Sequence, residues 1–175
     1  MIIWLDGTHG VGKTSVAEAI KERCPQSESL DSDVYWNDFL EKNCLIGGGC
    51  FPQNNKPFIE RFKHLIEEKM QSGCAFLIVQ MALTEKECKE RLFDCLKEAY
   101  ENTFHIILTA EIETLISRIK SDSDRDQQFA LSRLKWNTKF LGQHYSDAAR
   151  IVTDNKSISD IVDEIFANCN LKTDF

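Results

Sequence analysis

With 175 residues the chain is long enough to bury roughly 70% of the surface its unfolded form exposes, so a single domain is expected. Hydrophobic residues make up 42% and charged residues 28%, which excludes the composition of a disordered chain. A formal net charge of -7 opposes polyanions and sets nucleic acid aside as a partner, and no apolar run approaches the ~20 residues of a membrane span.

The chain opens on Met1-Ile2-Ile3-Trp4-Leu5, a continuous apolar run of the kind that fills a strand buried on both faces. A glycine-rich turn follows, and then Val16, Ala17, Ala19 and Ile20 fall at helical spacing until Pro25 ends the pattern. A short strand, Glu28-Ser29-Leu30, leads into Asp31-Ser32-Asp33, and Val34 to Leu40 read as helical. Residues 43–57, with three consecutive glycines and two prolines, are expected to form a loop on the substrate side. Phe58, Phe62, Leu65, Ile66 and Met70 restore a helical period, and Cys74 to Val79 is a second buried strand. A helix over about 85–99, a strand from Phe104 to Leu108 and a helix from near Ile112 come next. Beyond a polar stretch, Ser121 to Gln127, the residues Phe129, Leu131, Leu134 and Phe140 mark another helix. Ala149 to Thr153 is the last strand and Ile158 to Ala167 the last helix. Strands alternating with helices predict an α/β protein with a parallel sheet covered on both faces.

The seven cysteines (Cys24, Cys44, Cys50, Cys74, Cys88, Cys95 and Cys169) form an odd set without CxxC spacing, in a chain lacking a secretory apolar region. They read as reduced thiols of a cytoplasmic protein, with a zinc site at Cys44 and Cys50 as the less favoured alternative.

Gly7-Thr8-His9-Gly10-Val11-Gly12-Lys13-Thr14 matches the phosphate-binding pattern G-x-x-x-x-G-K-[ST] in full, between a buried strand and a helix as that chemistry requires. Tight winding at the glycines turns backbone N–H groups inward, and the helix start adds partial positive charge. ATP is thus held by residues 7–15, including Ser15, with Lys13 bridging the β- and γ-phosphates and the Thr14 hydroxyl on Mg²⁺. The second apolar strand ends in Gln80-Met81-Ala82 without a metal-binding acid, which moves attention to Asp31 and Asp33. Two carboxylates at i and i+2 divide the work well, Asp31 holding the metal or its water and Asp33 accepting a hydroxyl proton. The alternative is helix capping by Ser32 or Asp33. Asn155-Lys156-Ser157-Ile158 lacks the Asp of a guanine clamp, which favours ATP over GTP.

Arg118, Lys120, Arg125 and Arg133 surround a polar segment, about 120–128, that suits a lid closing over phosphates. Arg makes bidentate contacts to phosphate oxygens and can stack its plane on a base, which makes Arg125 and Arg118 the candidates. Against this, Asp122, Asp124 and Asp126 could make the same segment a neutralised solvated face.

With these elements placed, the chain resembles the shikimate-kinase and nucleoside-monophosphate-kinase branch of P-loop proteins. It resembles the tunicamycin-resistance protein family more closely still, in Met1-Ile2-Ile3-Trp4 before the loop, Phe76 to Val79 with Met81, and Thr153 to Ile158. The resemblance implies a three-layer fold on a five-stranded parallel sheet of order 2-3-1-4-5, and Mg²⁺-ATP as cofactor. It implies adenine contacts from Arg118 and from Thr153 to Lys156, Asn155 among them. The expected partner is a small-molecule phosphate acceptor, nucleoside-like or an antibiotic, and the expected state is a monomer or homodimer. A protein that sequesters a ligand with slow ATP hydrolysis is the competing reading.

Overall fold

The computed structural model describes residues 1–43, 51–123 and 126–171. Five strands form one parallel sheet: β1 (Ile2–Asp6), β2 (Glu28–Asp31), β3 (Leu77–Gln80), β4 (Thr103–Thr109) and β5 (Ala149–Val152), in the order β2-β3-β1-β4-β5. This is the expected order. The central strand β1 is buried along its whole length, which is why it reads as an unbroken apolar run rather than an alternating one.

Alternate side chains of each strand feed two cores. Ile3, Leu5, Ile78 and Ile106 face α1 (Lys13–Arg23), α6 (Ile112–Ser121), α7 (Gln127–Gln143) and α8 (Ile158–Asn168) through Val16, Leu115, Leu134 and Ile165. Ile2, Trp4, Leu77 and Val79 face α2 (Ser32–Lys42) and α3 (Lys56–Gln71) through Trp36 and Phe62. The layers are those expected of a helix-covered sheet.

Several boundaries differ from the sequence expectation, each for a local reason. Strand β3 begins at Leu77 rather than Cys74, because Ala75 donates to Gln26 O outside the ladder before pairing begins. The helix expected over 85–99 is short α4 (Lys86–Cys88), a π-helical turn (Lys89–Asp94) and α5 (Cys95–Ala99). The wider turn carries Leu92 and Phe93 into the core, where the Phe93 ring meets Trp4 edge-on at 5.5 Å. Within 43–57, a 3₁₀ turn (Pro52–Asn54) and the Asn55 cap of α3 replace the expected loop, and residues 44–50 lie outside the described residues. Among the described residues no helix is long and apolar enough to cross a membrane.

Candidate active site

All five strands run the same way, so the segments after β1, β2, β3 and β5 meet at one edge of the sheet, where open α/β folds place ligands. A cavity of about 1100 Å³ opens there. Its walls include the whole of residues 7–16, Asp31 to Asp33, Gln80 to Ala82, Arg118 and Thr153. The glycine-rich loop and the acids after β2 therefore face one space.

The loop conformation depends on its glycines. Gly7, Gly10 and Gly12 have φ of 140°, 78° and 102°, a region L-residues avoid. At Gly10 a Cβ would also stand 2.9 Å from Ile119 Cγ1 and 3.1 Å from Leu115 O, so this turn is pressed against α6. At Gly12 no atom of the described residues, its chain neighbours aside, lies within 4 Å of where a Cβ would be, which leaves open room before the first turn of α1. A tight left-handed turn, open space and a helix start together fit a phosphate. Lys13 Nζ donates to Gly7 O at 2.8 Å and Thr8 O at 3.3 Å, lying across the loop mouth.

Beneath the loop stands a pair that sequence reasoning missed. Asp6 is fully buried; Oδ1 accepts from Gly7 N at 2.6 Å and from Leu83 N at 3.2 Å, while Oδ2 meets His105 Nε2 at 2.9 Å. The carboxylate fixes the first loop residue to the segment after β3. Register explains the meeting: His105 pairs with Trp4, two residues before Asp6, so all three side chains share one sheet face. The available signal was an Asp ending one buried strand and a His inside another.

Asp31 is the last residue of β2 and the N-cap of α2, its Oδ1 accepting from Asp33 N at 2.9 Å. Capping thus falls to Asp31, not to Ser32 or Asp33 as the capping alternative held. Asp33 sits in the first turn of α2 with its side chain exposed to the cavity. Gln80, where many ATPases have a metal-binding acid, donates to Ser29 Oγ at 2.8 Å. Among the described residues no group of three or more His, Cys, Asp or Glu could hold a metal. Mg²⁺ ordinarily completes its shell with phosphate oxygens and water, so Thr14 and Asp31 beside a phosphate loop fit that ion. Cys44 and Cys50, the alternative zinc pair, lie outside the described residues, as does Arg125.

At the β5 side, Arg118 donates to Thr153 Oγ1 at 2.9 Å and Thr153 O at 3.2 Å, which holds its guanidinium plane along the cavity wall. Asn155 has φ 55° in the turn after β5 and is not among the wall residues; Thr153, Lys156 and Ile158 are. Asp154 ties this turn to α6 by accepting from Glu111 N at 3.0 Å, and the Thr114 hydroxyl and this N–H hold its carboxyl below the usual range. The wall also includes Phe51, Phe129, Arg133 and Asn137, of which only Arg133 was read in sequence as part of the site, Phe129 having been read as a helix residue. His9 of the loop meets Phe129 edge-on at 5.8 Å.

No family model matches the chain, and no curated protein matches its sequence. Solved structures do. A Deinococcus radiodurans tunicamycin resistance protein superposes with a TM-score of 0.74 at 21% identity, covering 98% of this chain and 96% of its own. A sugar kinase from Janibacter gives 0.70 at 15% identity, covering 98% and 95%. The Mycobacterium tuberculosis APS kinase, solved with AMPPNP and APS, gives 0.61 at 16% identity, covering 97% and 96%. With this likeness and its own sheet order, the chain has the P-loop kinase-like fold of these proteins.

Proposed function

We propose that this chain is a cytoplasmic, ATP-dependent small-molecule kinase, one P-loop domain that transfers the γ-phosphate to a hydroxyl group. The observation that carries the reading is that Asp33, exposed at the start of α2, shares one cavity with the glycine-rich loop. A loop alone serves any nucleotide hydrolase, whereas a carboxylate facing it across open space gives a second reactant its proton acceptor.

Mg²⁺-ATP supplies the phosphoryl group and the charge neutralisation that its departure needs. Residues 7–15 bind the phosphates, with Lys13 exchanging its loop carbonyl partners for phosphate oxygens. Thr14 and Asp31 would hold Mg²⁺ or its water. Arg118, fixed by Thr153, lies against the base. Asp33 orients the acceptor hydroxyl and takes its proton as the phosphate ester forms.

The likeness to a tunicamycin resistance protein supports a second reading: a non-kinase ATP-binding protein that sequesters a ligand, with only slow ATP hydrolysis. One measurement separates the two. ADP release is followed with and without nucleosides, amino sugars and hydroxylated antibiotics. Release that rises by orders of magnitude with one of them, with a phosphorylated product by mass, is the expected result; release indifferent to every compound defeats the kinase.

A further inference from the structure

Charge is not matched evenly around the cleft. Among the described residues four lysine and arginine side chains stand on its wall, and each is engaged. Lys13 lies on the loop carbonyls, Arg118 on Thr153, Lys156 on Glu164, and the Arg133 guanidinium 5.2 Å from the centre of the Phe51 ring. Three wall acids are engaged as well: Asp31 caps α2, Asp126 caps α7 through Phe129 N, and Asp122 also has a bonding partner. Asp33 and Glu85 differ, since neither carboxylate makes a hydrogen bond or ion pair among the described residues. The backbone of Glu85 starts α4, but its side chain makes no capping bond and lines the cavity half-buried.

The two carboxylates belong to one end of the cleft. Gln53 Oε1 accepts from Thr84 N at 2.8 Å and from Thr84 Oγ1 at 3.3 Å, which ties the segment bearing Glu85 to the turn Pro52–Asn54. That turn packs on α2, the helix that bears Asp33. Gln80 supplies an independent observation. It pairs with Asp31 in the sheet, is 4% exposed and lines the cavity; Ser29 holds its Nε2, while its Oε1 has no hydrogen-bond partner. The unused capacity of the charged and buried groups here is therefore of one kind, negative charge and a hydrogen-bond acceptor.

A half-buried carboxylate without a partner carries a cost that a ligand cation removes, and a cleft lined by one sign of charge concentrates the opposite ion. Resting on the reading of this cleft as a kinase site, we propose that the phosphate acceptor is a cation, a hydroxyl compound bearing a protonated aliphatic amine that pairs with Glu85. An anionic acceptor would instead bring a further negative charge up to Asp33, Glu85 and the phosphates together. The amine keeps its protons throughout. The acceptor oxygen bonds the γ-phosphorus, its proton passes to Asp33, and the bond from that phosphorus to the bridging oxygen of ADP breaks.

The test uses compounds that differ in charge on one carbon skeleton: 1-amino-1-deoxy-D-sorbitol, D-sorbitol and D-gluconate, with 2-deoxystreptamine against myo-inositol as a cyclic pair. Each is titrated by calorimetry into the full chain saturated with Mg²⁺-ADP. The amine of at least one set is expected to bind about tenfold or more tightly than its neutral counterpart, and gluconate to bind most weakly of its set. Glu85→Gln, which keeps size but removes the charge, should cost the amine about tenfold and leave the neutral compound unchanged. Glu85→Lys is an independent second variant and should reverse the order in favour of gluconate; an unchanged melting temperature shows that either variant is folded. Equal binding across charges, tighter binding of gluconate, binding of no compound, or amine binding untouched in both variants overturns the inference. ADP release with the same compounds under Mg²⁺-ATP reads the kinase separately. Amine-selective binding without ADP release upholds the charge preference and defeats the kinase; ADP release driven only by neutral or anionic acceptors does the reverse.

Discussion

The glycine-loop end of the cleft, proposed for the phosphates, and the end proposed for the acceptor are built on opposite principles. At the phosphate end the wall is made by consecutive residues 7–16, with three glycines in the left-handed region and a buried Asp6–His105 couple beneath. At the acceptor end, Asp33, Phe51, Phe129 and Asn137 come from α2, the segment before α3, and α7, and each contributes a side chain. A ligand common to thousands of reactions can be recognised by one local conformation. A particular acceptor needs shape and polarity that a single turn cannot supply.

The sharpest break in this comparison is Asp33→Asn. It removes the proton-accepting charge at the acceptor end, so phosphoryl transfer is expected to fall by about 10²-fold or more while ATP affinity stays nearly constant. Asp31→Asn should instead raise the Mg²⁺ concentration for half-maximal rate, and steady-state rates over a Mg²⁺ series check both. A fall of only about twofold in Asp33→Asn would return that residue to scaffold.

Lys13→Ala breaks the other end. Losing a charge-assisted contact to phosphate is expected to weaken Mg²⁺-ATP binding by roughly 10- to 100-fold, measured by calorimetry. Acceptor binding to the Mg²⁺-free protein should be unaffected, since no acceptor-end wall residue is changed. Unchanged ATP affinity would mean that Lys13 keeps its loop carbonyls with nucleotide bound.

Asp6→Ala tests the support under the loop. Gly7 N–H, Leu83 N–H and His105 Nε2 would lose their carboxylate in a fully buried place, and a loss of about 3 kcal/mol in urea unfolding is expected. A loss below about 1 kcal/mol would show the couple to be replaceable by water.

The smallest expected effect lies at the turn after β5. Hydrogen bonds from Thr114 and Glu111 N lower the Asp154 pKa, so its stabilisation is fully present above the ordinary aspartate value of about 3.9 and fades as pH falls through the lowered one. Asp154→Asn should therefore flatten the acid limb of the stability curve slightly and leave the curve above about pH 5 unchanged in shape. Thermal melts from pH 2 to 6 decide it; identical acid limbs would remove Asp154 from the account.

The loop and the alternating elements were legible because each is written in adjacent residues, whereas the sheet order was expected only through the family resemblance. Gly7 to Thr14 carries its own geometry, and the unbroken apolar run of β1 announces a strand covered on both faces. Strand ends were less so: Cys74 to Phe76 are as apolar as β3 itself, and only pairing with neighbouring strands decides where the ladder begins. The π-helical turn after Cys88 was likewise invisible, because its register is set by how deeply Phe93 must reach toward Trp4 and His105.

What the sequence determined by itself is therefore the phosphate end: a local pattern of glycines, a lysine and a hydroxyl between a buried strand and a helix, whose conformation follows from short-range sterics. Tertiary structure decided the rest. Asp6 meets His105 only because β1 and β4 pair in one register, 99 positions apart in sequence. Phe51 stacks on Phe129 only because α7 packs, through Ala130 and Leu134, into the core beside the loop. Such contacts depend on the sum of all packing choices, so no window of neighbouring residues encodes them.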